Sequence, residues 1–146
     1  MNREKDIGFR IRLIANLIRR NIEKNADKNE KIHHIHGWAI DYLYENENKD
    51  IFQKDFEKQF SIRRSTASNI LKSMENNGLI SRVSVNHDAR LKKIILTEKA
   101  IDIHEKIINA VDKNENLIKS GLTNNEIIQF FTITDKIIKN LEEKDA

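Results

Sequence analysis

Between Leu79 and Leu96 the hydrophobic period changes from the three-to-four step of a helix to the two-step of a strand, then changes back. LISRVSV (79–85) and LKKIIL (91–96) are rich in β-branched residues and partly alternate. NHDAR (86–90) joins them. That pattern predicts one hairpin with a five-residue polar tip. Everything around it reads as helix. The 146 residues include no proline and only four glycines, so little interrupts a helix. The fold class that follows is mostly α with a single small hairpin.

Upstream, residues 6–24 place Ile7, Ile11, Ile14, Ile18 and Ile22 at steps of three and four, and Leu13 and Leu17 widen the stripe. The result is an amphipathic helix with a broad apolar face. Asn25 to Lys31 is polar and reads as a loop. A second helix over 33–46 carries Ile35, Ala39, Ile40, Leu43 and Tyr44, with Trp38 and Tyr42 beside them. A short third helix over 51–60 aligns Ile51, Phe52, Phe56 and Phe60. In the next segment Ala67, Ile70, Leu71 and Met74 share one helical face, and Ser65, Ser68, Asn69, Lys72 and Asn76 project from the other. Gly78 is placed to end that helix in the left-handed region, with Leu79 closing on Met74. After the hairpin, Thr97 can cap a helix running to about Gly121. Thr123 and Glu126 form a capping box for a last helix rich in Ile and Phe.

Composition excludes several function classes. Without cysteine there are no disulfides, thiolate metal sites or thiol redox switches. No run approaches the roughly 20 apolar residues that span a bilayer, and the N-terminus lacks the apolar core of a signal peptide. A cytoplasmic location without membrane partners is expected. Glycine-rich phosphate loops, nucleophile elbows and His-Glu metalloprotease motifs are absent from the sequence, so an enzyme is not expected. The net charge of +3 is unevenly spread: residues 61–96 hold seven basic and two acidic side chains. Such a block is the footprint of a polyanion partner.

The order helix, short helix, polar-faced helix, hairpin is that of a winged helix-turn-helix. A helix entering the major groove needs one apolar face to dock on its scaffold. Its other face needs short hydrogen-bonding and cationic groups to reach base edges. Ser65, Ser68, Asn69 and Lys72 fit that second face. Arg63 and Arg64 stand at the helix start, where the dipole also attracts a phosphate.

The run FSIRRSTASNILKSMENNGLISRVSVNHDARLKKIILTEKA resembles the core of the MarR family of bacterial transcription regulators. The likeness runs through Thr66, Ser68, Leu71, Gly78-Leu79-Ile80, Arg82, Asp88, Arg90 and Leu96-Thr97-Glu98. It implies a single domain over 1–146, with a winged DNA-binding lobe over 32–97 and dimerisation helices over 1–25 and 98–143. It also implies a homodimer on pseudo-palindromic double-stranded operator DNA, a repressor released by a small-molecule effector. The breadth of the apolar faces on the first and last helices points the same way. The residues expected at DNA are Arg63, Arg64, Ser65, Thr66, Ser68, Asn69 and Lys72 on the helix, and Arg82, His87, Asp88, Arg90 and Lys92 in the wing. Arg90 is expected to enter the minor groove, with Asp88 holding Arg90 or Arg82 in a bidentate pair that fixes the loop. Two departures from the family stand out. Arg63 cannot accept a hydrogen bond at the N-cap, and Ala100 replaces a usual glycine.

For an aromatic or phenolic effector the expected lining is His36, Trp38 and Tyr42. His33, His34 and His36 invite a metal reading, but the His-x-x-x-His pair of the family's zinc sensors is incomplete here, with His104 followed by Ile108. No cofactor and no metal are expected. The alternatives are a winged-helix protein–protein adaptor and a metal-responsive regulator of the same family.

Overall fold

In the computed structural model, the described residues are 3–25 and 34–142, with side chains in the second stretch from His36 onward. A 3-10 turn (Arg3–Lys5) leads into α1 (Ile7–Asn25). Then follow α2 (His34–Glu45), α3 (Gln53–Phe60), α4 (Arg64–Asn76), β1 (Ile80–Val85), β2 (Asp88–Leu96), α5 (Glu98–Lys119) and α6 (Asn124–Glu142). The mostly helical class with one antiparallel hairpin is therefore the observed one. The loop expected over 25–31 lies almost wholly outside the described residues. The chain divides into two compact units, residues 1–111 and 112–146.

In the first unit the core gathers where the apolar faces of α2, α3 and α4 meet the root of the hairpin and the first turns of α5. Ile40, Phe56, Leu71 and Met74 are fully buried at its centre. Ile80 and Ile94 seal the hairpin side, and Ala100, Ile103 and Ile107 seal the α5 side. Gly37 lets α2 and α5 approach closely, since a Cβ there would stand 3.1 Å from Cγ2 of Ile107. That is tight enough to require movement.

Local signals set the helix ends. The Phe52 N–H donates to the Asp55 carboxylate at the start of α3 (2.9 Å). This helix begins at Gln53 rather than Ile51, because the Ile51 carbonyl accepts from the Ile94 N–H (2.8 Å) and lies beside β2. Ser61 ends α3 in the left-handed region at φ 51°. It is the one non-glycine residue with positive φ among those described. The end of α4 is a Schellman closure. With Gly78 at φ 70°, the Leu79 N–H donates to the Met74 carbonyl (2.9 Å) and the Gly78 N–H to that of Glu75 (3.0 Å). The start of α5 then satisfies the next carbonyls. Lys99 Nζ donates to Asn77 (2.9 Å), the Thr97 hydroxyl to Gly78 (2.6 Å) and the Thr97 N–H to Leu79 (3.1 Å). Thr97 Oγ1 also accepts from the Ala100 N–H (3.3 Å), as an N-cap does. In the second unit, Thr123 Oγ1 accepts from the Glu126 N–H (3.2 Å) and opens α6.

The hairpin differs from the five-residue tip expected of it. Only Asn86 and His87 separate the strands, and Asp88, Ala89 and Arg90 belong to β2. The register runs from Ile80↔Leu96 to Ser84↔Lys92 and then jumps to Val85↔Asp88. Ala89, Arg90 and Leu91 therefore have no partner across the ladder and form a bulge. Asp88 Oδ1 accepts from the Arg90 N–H (2.8 Å), an Asx turn that diverts a ladder donor.

Two helices leave their apolar faces uncovered. α1 contains no buried residue, and Ile7, Phe9, Ile11, Leu13, Ile14 and Leu17 are all exposed. α6 likewise contains none, with Ile128 62% and Phe131 53% exposed.

Candidate nucleic-acid interface

The two faces of α4 separate cleanly. Ala67, Leu71 and Met74 are buried against the core, while Arg64, Ser65, Thr66, Asn69 and Lys72 are exposed. Helical spacing puts Ser65, Asn69 and Lys72 on one outward stripe. At the N-cap, Arg63 is extended and makes no capping bond through its side chain, and the first turn holds no acidic residue. The helix start thus offers unpaired N–H donors and a positive dipole end, flanked by two exposed guanidinium groups. Ser68 differs from its neighbours. It is half-buried, and its Oγ accepts a hydrogen bond from Gln53 Nε2 on α3 (2.9 Å).

The wing extends the basic surface. His87, Arg90 and Lys92 are exposed, and Arg90 lies within the bulged stretch of β2. The expected side-chain pair between Asp88 and an arginine is not formed. The Asp88 carboxylate binds backbone, namely the Arg90 N–H. Arg82 leans instead toward Glu75 near the end of α4, with Nε to Oε2 at 3.8 Å. Arg82 Nε is buried and makes no hydrogen bond. Asp88 is thus a shaping residue, and Arg82 braces β1 against α4. The physical reason is reach: a carboxylate two residues before an N–H closes a small local ring at little entropic cost. Sequence reading missed Gln53 and Glu75. Glu75 was available as an acid close to the hairpin root, but nothing in the linear pattern tied Gln53 to a residue fifteen positions away.

The three residues expected to line an effector site all lie on α2 and differ in burial. His36 is 3% exposed and shares the core face of α2 with Ala39, Ile40 and Leu43. Trp38 and Tyr42 lie one turn apart on the other side of α2. Trp38 is 44% exposed, and Tyr42 is half-buried, edge-on to Phe60 with ring centroids 5.7 Å apart. Burial, and secondarily the Asp55 carboxylate, hold the Tyr42 phenol above its ordinary pKa of 10.0. His104 is half-buried, bonds Asp41 through Nε2 (3.1 Å) and stacks on Tyr44 at 3.9 Å. Among the described residues, no three His, Cys, Asp or Glu side chains gather as metal ligands would. His33 and the side chain of His34 lie outside the described residues.

Comparison with known proteins gives this architecture its context. A family model described as MarR family matches residues 32–91. The transcription regulator MarR of Oenococcus oeni PSU-1 is 30% identical. The alignment covers 92% of this chain and 99% of that one, with a TM-score of 0.76. The S. aureus MepR structure, solved as a DNA complex, is 25% identical over 94% of this chain and 99% of that one, with a TM-score of 0.86. The uncharacterised HTH-type transcriptional regulator YybA of Bacillus subtilis (strain 168) is 24% identical over 96 residues. That match spans 66% of this chain and 64% of YybA's length. The match along nearly the full length of the Oenococcus regulator, on the same helix order and hairpin, settles the assignment: this chain belongs to the MarR family of transcription regulators.

Proposed function

We propose that the chain is a sequence-specific, double-stranded-DNA-binding transcription regulator that works as a homodimer, a repressor released by a small-molecule effector. The observation that carries this reading is the outward face of α4. Its uncapped, doubly basic start meets a phosphate, while Ser65 in the first turn, Asn69 in the second and Lys72 in the third form an outward stripe toward base edges. Arg90, exposed in the bulged stretch of the wing, reaches the neighbouring minor groove. The DNA complex of the related S. aureus regulator supports the same use of the fold. The uncovered apolar faces of α1 and α6 are covered by the second protomer. Two such helices then meet half-sites about 34–36 Å apart on a pseudo-palindromic operator. Such a regulator works in the cytoplasm, on the nucleoid. Among the described residues no helix is long and apolar enough to cross a membrane.

Fluorescence anisotropy on duplexes from the region upstream of its own gene tests the reading. One fragment should bind at least a hundredfold more tightly than random duplex at physiological salt, as operators do. Equal affinity for every duplex would overturn it, and no duplex binding at all would favour a protein–protein adaptor. The effector arm has its own readout. Trp38 is the only tryptophan and sits half-exposed beside Tyr42, so an aromatic effector on this side of α2 should change its emission while releasing the duplex. Release without any change at Trp38 would move the effector elsewhere.

A further inference from the structure

We infer that Gln53 is a positioning residue for DNA reading: its side-chain amide holds the recognition helix α4 at two points and turns Ser68 into a hydrogen-bond donor aimed at the DNA. The inference rests on the DNA-binding reading above and goes beyond it to a residue on a different helix.

The geometry is specific. Gln53 is the first residue of α3. Its Nε2 donates to Ser68 Oγ at 2.9 Å, and makes a longer contact to the Arg64 carbonyl at 3.4 Å. Arg64 and Ser68 are four residues apart, so both points lie on the same side of α4, one turn apart. A single side chain thus adds two polar anchors to the apolar docking of α4 through Ala67, Leu71 and Met74.

The orientation of the amide follows from chemistry. A glutamine amide presents a donor nitrogen on one side and an acceptor oxygen on the other, and the hydrogen-bond network must decide between them. Here one of the two partners is a backbone carbonyl, which can only accept. Turning the amide over would set oxygen against oxygen at Arg64. The nitrogen therefore faces α4, and Ser68 Oγ must be the acceptor in its bond.

A serine hydroxyl has one proton to give. With its oxygen engaged by Gln53, that proton has no acceptor among the described residues. Ser68 is half-buried and stands at the edge of the stripe formed by Ser65, Asn69 and Lys72. In the DNA-binding reading above, that stripe faces the groove. A hydroxyl that already accepts from an amide is also a better donor. In the major groove its targets are purine N7, guanine O6 and thymine O4. Without Gln53 the hydroxyl rotates freely, so it reads acceptors and donors alike and loses discrimination.

The test uses the full chain and a duplex enriched by the wild-type protein from a random pool. Four proteins are compared by anisotropy: wild type, Gln53→Leu, Ser68→Ala and the double variant. Each single change should weaken the enriched duplex about five- to thirtyfold, the loss of one hydrogen bond in each of the two half-sites. The double variant should lose no more than the worse single one, because the two side chains act as one unit. Affinity for random duplex should stay at the wild-type level throughout, which a general loss of fold would not allow. Replacing half-site purines with 7-deazapurines, or thymine O4 with a sulfur, should weaken wild type at one position and leave Ser68→Ala indifferent there. If Gln53→Leu does not fold, Gln53→Glu takes its place, since an acid at the first turn of a helix is tolerated. A carboxylate draws the Ser68 proton inward, so Ser68→Ala should then add nothing. Additive losses, or a Gln53 variant that discriminates as wild type does, would overturn the inference while leaving DNA binding intact. A pool that yields no enriched duplex would overturn the DNA-binding reading itself, and this inference with it.

Discussion

The core around the hairpin and the helices α1 and α6 are built from the same kind of stripe, yet they bury it differently. In that core, Phe56, Ala67, Leu71 and Met74 are fully enclosed. On α1 and α6, Ile14, Leu17, Ile128 and Phe131 keep the same helical spacing and stand open. Periodicity reports that a face must be covered and is silent on whether the cover is the same chain. The core's stripes are answered by α2, α3, the hairpin root and the first turns of α5. Those of α1 and α6 await a partner.

That contrast is easiest to break with a pair of aromatic substitutions. Phe56→Ala should cost the lobe about 3–5 kcal/mol in chemical denaturation, the usual cost of an emptied core site. Phe131→Ser should leave the unfolding of the lobe near wild type but shift the molecule toward monomer in sedimentation, with a melting temperature that depends on concentration. A Phe131→Ser protein that stays dimeric at low micromolar concentration would remove this face of α6 from the interface. Next in size is Gly78→Ala. A Cβ there meets only Lys99 Cδ at 3.9 Å, so space is not the obstacle. The positive φ is, and it should cost about 1–2 kcal/mol.

Within the lobe, the wing separates contact from shape. Arg90→Ala should weaken operator binding severalfold and reduce the slope of log affinity against log salt by about two, the loss of one cation from each half-site of the dimer's operator. Asp88→Ala should weaken binding with the salt slope unchanged. Asp88→Asn should behave almost as wild type, because an amide oxygen can still accept from the Arg90 N–H. An Asp88→Asn protein as weak as Asp88→Ala would mean that the charge, not the turn, is what counts. The smallest effect concerns Tyr42. In a Tyr44→Phe variant the one remaining phenol should ionise above pH 10 by tyrosinate absorbance. Because the folded value is the higher one, this group's contribution to stability is fully present below pH 10 and is lost as pH rises through the folded value. A midpoint at or below 10 would place Tyr42 in water rather than against Phe60.

Much of the lobe was legible in the residues. Ala67, Leu71 and Met74 declare one face of α4, and Gly78 with Leu79 declares its end, because both signals act within a few positions of chain. Thr97 and Thr123 are equally local. Less could be read where a side chain had several partners within reach. Asp88 had two arginines nearby and took a backbone N–H instead, which shortened the tip and created the bulge. Arg82 found Glu75, across the turn that ends α4. Gln53 and Ser68 meet only because α3 and α4 cross, a fact of three-dimensional packing. His36 and Trp38 are two positions apart, and on a helix that spacing sends them to opposite sides.

The junction of α4 with α5 also has a mechanical side. Three successive carbonyls at the end of the reading helix are gripped by the first turn of α5. α4 has 13 residues, which makes it a rod of about 20 Å pinned at its far end. A tilt of roughly 10° at that pivot would carry its first turn about 3 Å, as far as a hydrogen bond is long. The near end is held as well, by Gln53 at Arg64 and Ser68, so such a tilt would have to carry the start of α3 along with it.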